Sequence, residues 1–179
     1  MKNIVTIFLL ACIGTSVLAQ NTTNFAHIGR IDRFEPEVNE LIPKDAKIEV
    51  LCGGFEWSEG PVWMPESGNK YGGFVLFSDI PNNVVMKWQE GVGASVYMKP
   101  AGYTGVADYG REPGSNGLAL DAKGRLIMCE HGDRRISVVT TGGGKITLAD
   151  RWQGKRLNSP NDLAIRKNGD IFFTDPIYG

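Results

Sequence analysis

From Lys47 onward, apolar residues come in short runs separated by glycine-bearing polar breaks, a strand pattern rather than a helical one. The runs "VVMKW" (Val84 to Trp88), "ASVYM" (Ala94 to Met98), "GLAL", "RLIMCE", "RISVV" (Arg135 to Val139), "DLAI" and "DIFFTD" each have strand length. The breaks "DAKGR" and "RKNGD" carry glycine or asparagine where a hairpin turn needs a left-handed φ. No amphipathic helix is expected after the first nineteen residues.

The runs repeat. "SNGLALDAKGRLIMCEHGDRRI" from Ser115 lies on "PNDLAIRKNGDIFFTDPIYG" without a gap, with Asn116 on Asn161, Leu118 on Leu163, Gly124 on Gly169 and Glu130 on Asp175, an offset of 161 − 116 = 45 residues. A weaker copy, "SEGPVWMPESGNKYGGFVLFSDI", puts Glu59 at the asparagine position and Asp79 at the acidic end, with an insertion around Gly68 to Gly73. Each copy reads as a polar residue, a strand, a glycine turn, a second strand and an acid. Several short strands per unit at this period predict an all-β protein of β-propeller type, with a β-sandwich as the plainer alternative.

In a propeller the innermost strand of each blade opens beside a central channel, so the polar residues before "GPVW", "GLAL" and "DLAI" are expected at one axial mouth. Those residues are Glu59, Asn116 and Asn161. One carboxylate and two amide carbonyls form a hard-oxygen set suited to calcium or a similar divalent ion, with no His or Cys cluster favouring zinc or copper. The alternative for the two asparagines is a turn role, with the side chain bonded to its own backbone. Glu130 and His131 end a strand beside the same mouth and are candidates for substrate contact. Glu130 could equally form a surface ion pair with Arg134 or Arg135. No Gly-x-Ser-x-Gly elbow occurs, and with His27 and His131 alone a Ser-His-Asp arrangement lacks support. "GGGK" at Gly142 to Lys145 lacks the context of a phosphate loop and reads as a hairpin turn.

Composition narrows the picture. With 19 basic and 20 acidic side chains, no charge excess points to nucleic acid or an anionic membrane. Residues 1–19 read as a signal peptide: a basic start, an apolar core from Ile4, and a small-residue exit at Val17-Leu18-Ala19. Export to the periplasm or medium is expected, without a membrane span. The alternative is a lipoprotein anchored at Cys12, since Leu9-Leu10-Ala11-Cys12 has the shape of a lipoprotein cleavage site. Of the remaining cysteines, Cys52 and Cys129 match no disulfide framework or zinc motif and read as two buried free thiols, with pairing as the alternative. Residues 20–46 have no repeat counterpart and form a lead-in segment, which leaves 47–179 as the propeller part.

Together, "WSEGPVW", "FSDIPNNVVMKW", "SNGLALDAKGRLIMCEHGDRRI" and "NSPNDLAIRKNGDIFFTDPIYG" resemble the SMP-30/gluconolactonase/luciferin-regenerating-enzyme family, especially its exported bacterial members, from about Phe55 to Gly179. The resemblance implies a six-bladed propeller holding one divalent metal, usually calcium, and hydrolysis of a sugar lactone to the aldonic acid. It carries over Glu59 as a metal ligand and Asn161 as a residue that lines the site and approaches the metal. Asn116, Glu130 and His131 match positions facing the same channel as substrate-binding candidates. Some animal members hold substrate with an arginine where this chain has Ser159.

The same resemblance implies further ligands and a general base beyond Gly179, so about three blades of six are expected here and the chain is expected to be part of a longer protein. Isolated, such a piece is expected to be inactive. A non-catalytic propeller that binds carbohydrate or protein at its axial face is the other class of reading.

Overall fold

The computed structural model describes residues 25–179. The expected signal peptide and Cys12 lie outside the described residues. The fold is all-β: the described residues form antiparallel sheets and one four-residue helix.

The lead-in segment is a small hairpin, β1 (Ala26–His27) pairing with β2 (Glu49–Val50) around α1 (Val38–Leu41). Its loop is tied by the Arg33 guanidinium, which donates to the carbonyls of Ile42 at 2.9 Å and Pro43 at 2.6 Å. Phe25 meets Trp88 edge-on at 6.1 Å and joins this hairpin to the sheet that follows.

That sheet is a four-stranded meander of β3 (Ser58–Pro65), β4 (Gly73–Asp79), β5 (Val84–Gln89) and β6 (Gly93–Met98). A second meander follows, of β7 (Ser115–Leu120), β8 (Leu126–Glu130), β9 (Arg135–Val139) and β10 (Lys145–Ala149). The chain continues through the short hairpin β11 (Arg151–Trp152) and β12 (Lys155–Arg156) into the pair β13 (Leu163–Ile165) and β14 (Ile171–Phe173). The expected strands are all present, and "GGGK" supplies the turn between β9 and β10, closed by the Thr140 amide on the Gly144 carbonyl at 2.8 Å.

The turns form where glycine permits them. Gly124 and Gly169 adopt φ of 73° and 94°, a region that costs a side chain with a Cβ. At the first of these turns Asp121 Oδ1 accepts the amides of Lys123 and Arg125, each at 2.9 Å.

The continuous apolar run of β8 is explained by its place between two layers. Leu126 and Met128 face Leu76, Val85 and Leu118, a core between the two four-stranded sheets. Ile127 and Cys129 face the other way, packing with Ile136 and Val138 against Leu163, Ile165, Ile171 and Phe173. A strand buried on both faces has no reason to alternate, and each fully buried aliphatic side chain contributes about 1.5–3 kcal/mol. The far side of the β13–β14 pair leaves Phe172 at 58 % exposure.

Candidate functional site

Inner strands β3, β7 and β13 lie side by side, and the way they touch builds the site. In the first sheet the ladder slips between Glu59 and Val62, and in the second it slips at the equivalent place, between Ser115 and Leu118. Each irregularity carries a polar residue followed by glycine. Gly60 takes φ of 59°, and a Cβ there would stand 2.1 Å from the Asn116 carbonyl oxygen. Gly117 repeats the relationship with the next strand: its amide donates to the Asn161 carbonyl at 2.6 Å. The two glycines thus bring Glu59, Asn116 and Asn161 onto neighbouring strands at one end of the sheets.

The side chains of Asn116 and Asn161 make no hydrogen bond to their own backbone among the described residues, so the turn role is not the one they perform here. Asn116 is 3 % exposed, and it is its main-chain carbonyl that is used, accepting from Ser78 Oγ at 2.8 Å. Glu59 is half-buried; its Oε1 accepts the indole N–H of Trp57 at 2.6 Å, and no basic side chain pairs with it among the described residues.

In two of the three copies the acid closing the repeat pins the chain that enters the inner strand. Asp79 Oδ1 accepts the amides of Glu56 at 3.2 Å and Trp57 at 3.1 Å, fixing the chain that enters Glu59. Asp175 does the same ahead of Asn161, accepting the Asn158 amide at 3.0 and 2.9 Å on its two oxygens.

Glu130, the middle acid, is different. Its carboxylate is fully buried, pairs with Arg135 Nε and Lys145 Nζ, both at 3.0 Å, and accepts from the Ser137 hydroxyl. The structure therefore corrects two expectations. The Glu130 carboxylate expected to face substrate is instead fully buried and engaged, and the ion pair it forms is a buried one with Arg135 and Lys145 rather than a surface one. Arg134 is turned elsewhere, donating to the Leu157 carbonyl at 2.6 Å. The expectation for the thiols also needs amendment: Cys52 and Cys129 are both free, but Cys129 alone is buried.

His131 is fully buried. Its Nδ1 lies 3.3 Å from Glu112 Oε2 without the alignment of a hydrogen bond, and neither ring nitrogen has a hydrogen-bond partner among the described residues. Burial pushes the imidazole pKa down and the charge of Glu59 draws it back up, the net direction being down. Glu112 is pushed above the usual carboxylate range, first by burial and then by Glu59, with Arg111 opposing. Glu59, Glu112 and His131 therefore share one electrostatic neighbourhood.

Glu112 and Trp57 escaped the sequence reading. Glu112 sits in the long connection between β6 and β7, residues 99–114, which is pinned at several points. Asn83 Oδ1 accepts the amides of Ala101, Gly102 and Tyr103 at 3.0, 2.7 and 3.2 Å. Asp133 holds the Thr104 amide at 3.0 Å and hydroxyl at 2.8 Å. The Gly114 amide reaches the Ile80 carbonyl at 3.0 Å. A strandless connection of this length was itself the available signal, since such loops are usually functional. Trp57, Arg111, Glu112 and Tyr178 line a cavity of about 690 Å³. Ser159 stays out of it: fully buried, its hydroxyl donates to the Pro176 carbonyl at 2.6 Å and accepts the Tyr178 and Gly179 amides at 2.9 and 3.1 Å.

A hard divalent cation fits this chemistry. Glu59 offers a carboxylate without a basic partner among the described residues, its charge bears on a second carboxyl, and the asparagine amides on the next two repeats are not spent on their own backbone. Among the described residues no group of three His, Cys, Asp or Glu is placed to hold a metal; the donors this chain offers here are a carboxylate and amide oxygens, which are hard ligands.

Residues 57–179 match the family model of the SMP-30/Gluconolactonase/LRE-like region. A gluconolactonase of Zymomonas mobilis subsp. mobilis is 39 % identical over 169 residues, covering 93 % of this chain and 46 % of that protein. An X-ray structure of a protein provisionally assigned as a gluconolactonase superposes with a TM-score of 0.66 at 35 % identity, over 81 % of this chain and 45 % of that one. A gluconolactonase from Xanthomonas campestris, described as important in glucose secondary metabolism, superposes with a TM-score of 0.65 at 30 % identity, over 88 % of this chain and 46 % of that one. The chain spans about half the length of these relatives.

Proposed function

Because the chain belongs to the SMP-30/gluconolactonase/LRE-like family, we propose that the complete protein carrying it hydrolyses a sugar lactone to the aldonic acid. The observation that supports this most directly is the main-chain adjacency that the Gly60 and Gly117 contacts give to Glu59, Asn116 and Asn161, with Trp57, bonded to Glu59, lining a cavity of about 690 Å³. In this reading the three repeats are blades of a six-bladed β-propeller whose channel opens at that convergence.

Glu59 and Asn161 would hold one divalent ion, calcium by the hardness of their oxygens, and when bound it supplies Lewis-acid polarisation of the lactone carbonyl. This chain's residues hold and orient. The Trp57 indole N–H fixes the Glu59 carboxylate. The Asp79 and Asp175 carboxylates stiffen the chain entering Glu59 and Asn161, so both donors are set before substrate arrives. Asn116 lies between them and would orient substrate. His131, buried within 3.3 Å of Glu112, would contribute to the substrate-binding wall. The remaining ligands and the general base are assigned to the part of the complete protein outside this chain, and the protein is taken to be exported.

The decisive experiment is Glu59→Gln in the complete protein, assayed on a lactone panel with and without added calcium. Loss of calcium-dependent turnover with an unchanged far-UV spectrum is expected. Full activity of the variant in metal-free buffer would remove the assignment.

A further inference from the structure

Trp57 and Glu112 belong to no part of the chemistry so far beyond their contacts with Glu59 and His131. Trp57 is 59 % exposed, and Trp63 and Trp152 are exposed too, but the Trp57 ring is not free to turn because its N–H is committed to Glu59 at 2.6 Å. Glu112 is partly enclosed: its side chain is 32 % exposed, and Oε2 stands 3.3 Å from the fully buried His131 ring without a hydrogen bond to it. Both residues line the same cavity of about 690 Å³. An oriented aromatic face and a carboxylate on the walls of one cavity offer the two kinds of contact that a pyranose-sized ring makes. Its C–H face packs on an aromatic plane, and its hydroxyls donate to an acceptor with several lone pairs.

We infer that Trp57 and Glu112 form the subsite that recognises the sugar portion of the substrate, Trp57 as the platform for the ring and Glu112 as the acceptor for its hydroxyls. His131 is a positioning residue in this arrangement, since it is buried and reaches the cavity through Glu112. Arg111, on the same loop, lines the same cavity and is the neighbouring cation. The inference rests on the lactone-hydrolase reading for the identity of the reaction, but the recognition of a polyhydroxylated ring stands separately. A site built to bond hydroxyls discriminates strongly against an analogue that lacks them, by up to about 10⁴-fold where several bonds are lost.

The test uses the complete protein and its Glu112→Gln variant, which keeps the side chain's shape and removes its charge. Turnover of gluconolactone is compared with that of δ-valerolactone, a ring of the same size without hydroxyls. The expected result is a fall in the ratio of kcat/KM for gluconolactone over δ-valerolactone of about 10- to 100-fold in the variant, carried mainly by KM. An unchanged ratio, whether both activities fall together or neither moves, overturns the inference. Binding of the hydrolysis-resistant gluconolactam, followed by calorimetry, separates the subsite from the reaction. If the wild type turns over neither lactone, the hydrolase reading fails. The subsite then still stands if gluconolactam binds and weakens at least tenfold in Glu112→Gln, and it falls if the two proteins bind it equally or not at all.

Discussion

The Gly117 amide donates to the Asn161 carbonyl at 2.6 Å, and no atom separates the Gly117 α-carbon from the strand that carries Asn161. A Cβ at Gly117 would stand 2.7 Å from that carbonyl oxygen and 2.8 Å from the Asp162 α-carbon, both main-chain atoms that cannot swing aside. The spacing between the second and third repeats, and with it the separation of the site's donors, depends on a missing methyl group. Gly117→Ala is therefore expected to destabilise the complete protein by about 1–3 kcal/mol or more. On the proposed reading of the site it should also weaken calcium binding, though position 117 contributes no ligand. Thermal unfolding and calcium titration of the variant check both; a variant with wild-type melting and affinity would mean that the strands separate at no cost.

Glu130 is expected to behave as a structural acid. Glu130→Ala leaves Arg135 and Lys145 facing an empty buried position and should cost about 3–5 kcal/mol, because removing one partner strands the other charges. Glu130→Gln, which can still accept from Ser137, should cost less. In urea unfolding the two variants should rank in that order, while KM for the lactone stays at the wild-type value in whatever fraction folds. A large KM increase without loss of stability would restore a substrate role to this residue.

How much of this was legible in the residues depends on the range over which each signal acts. The strands and hairpin turns were readable, because runs such as "RISVV" and the glycines at 124 and 169 act within a few residues. Glu59, Asn116 and Asn161 could be set at one mouth because the repeat carries its own register. The fate of Glu130 was hidden, since it depends on Lys145, which reads locally as the end of a glycine turn and is brought to Glu130 only by the pairing of β8, β9 and β10. The glycines at 60 and 117 were hidden for the same reason: each makes room for the backbone of the next repeat, and nothing beside them in the chain says so. Ser159 reads as an open position and proves to be the clamp of residues 176–179.

Asp121 offers a test of the repeat's turn chemistry through pH. Burial alone would raise its pKa, but the Arg125 and Lys123 amides and the Arg125 guanidinium, at 2.7 Å, outweigh it and hold the carboxyl below its ordinary value of 3.8. A carboxyl depressed in the folded state stabilises the fold above its unfolded pKa, and that contribution is lost as pH falls through the folded value. Asp121→Asn should thus destabilise by about 1 kcal/mol at neutral pH, with the gap from wild type narrowing below about pH 4. Urea melts of both proteins at pH 7 and pH 3 measure the difference directly. A gap that stays constant would show that the turn's hydrogen bonds do not depend on the ionised carboxylate.

The two thiols should separate cleanly under alkylation. Cys129 has no exposed surface, and burial, reinforced by Asp162 and Asp175, pushes its pKa far above the usual thiol range, so the reactive thiolate is scarcely formed in the folded chain. Burial raises Cys52 as well, but Cys52 is only half-buried and lies in the connection between β2 and β3. Iodoacetamide at pH 8 is expected to modify Cys52 slowly in the native protein and Cys129 only when denaturant is present, as read by peptide mass. Because Cys129 packs between the second sheet and β13–β14, its labelling rate reports how often those layers part. Gly117→Ala, on the neighbouring strand across the β7–β8 ladder from Cys129, forces the same two layers apart and should raise that rate without changing the rate at Cys52. Native labelling of both thiols at equal rates would mean that the β13–β14 pair is not held against the second sheet in solution.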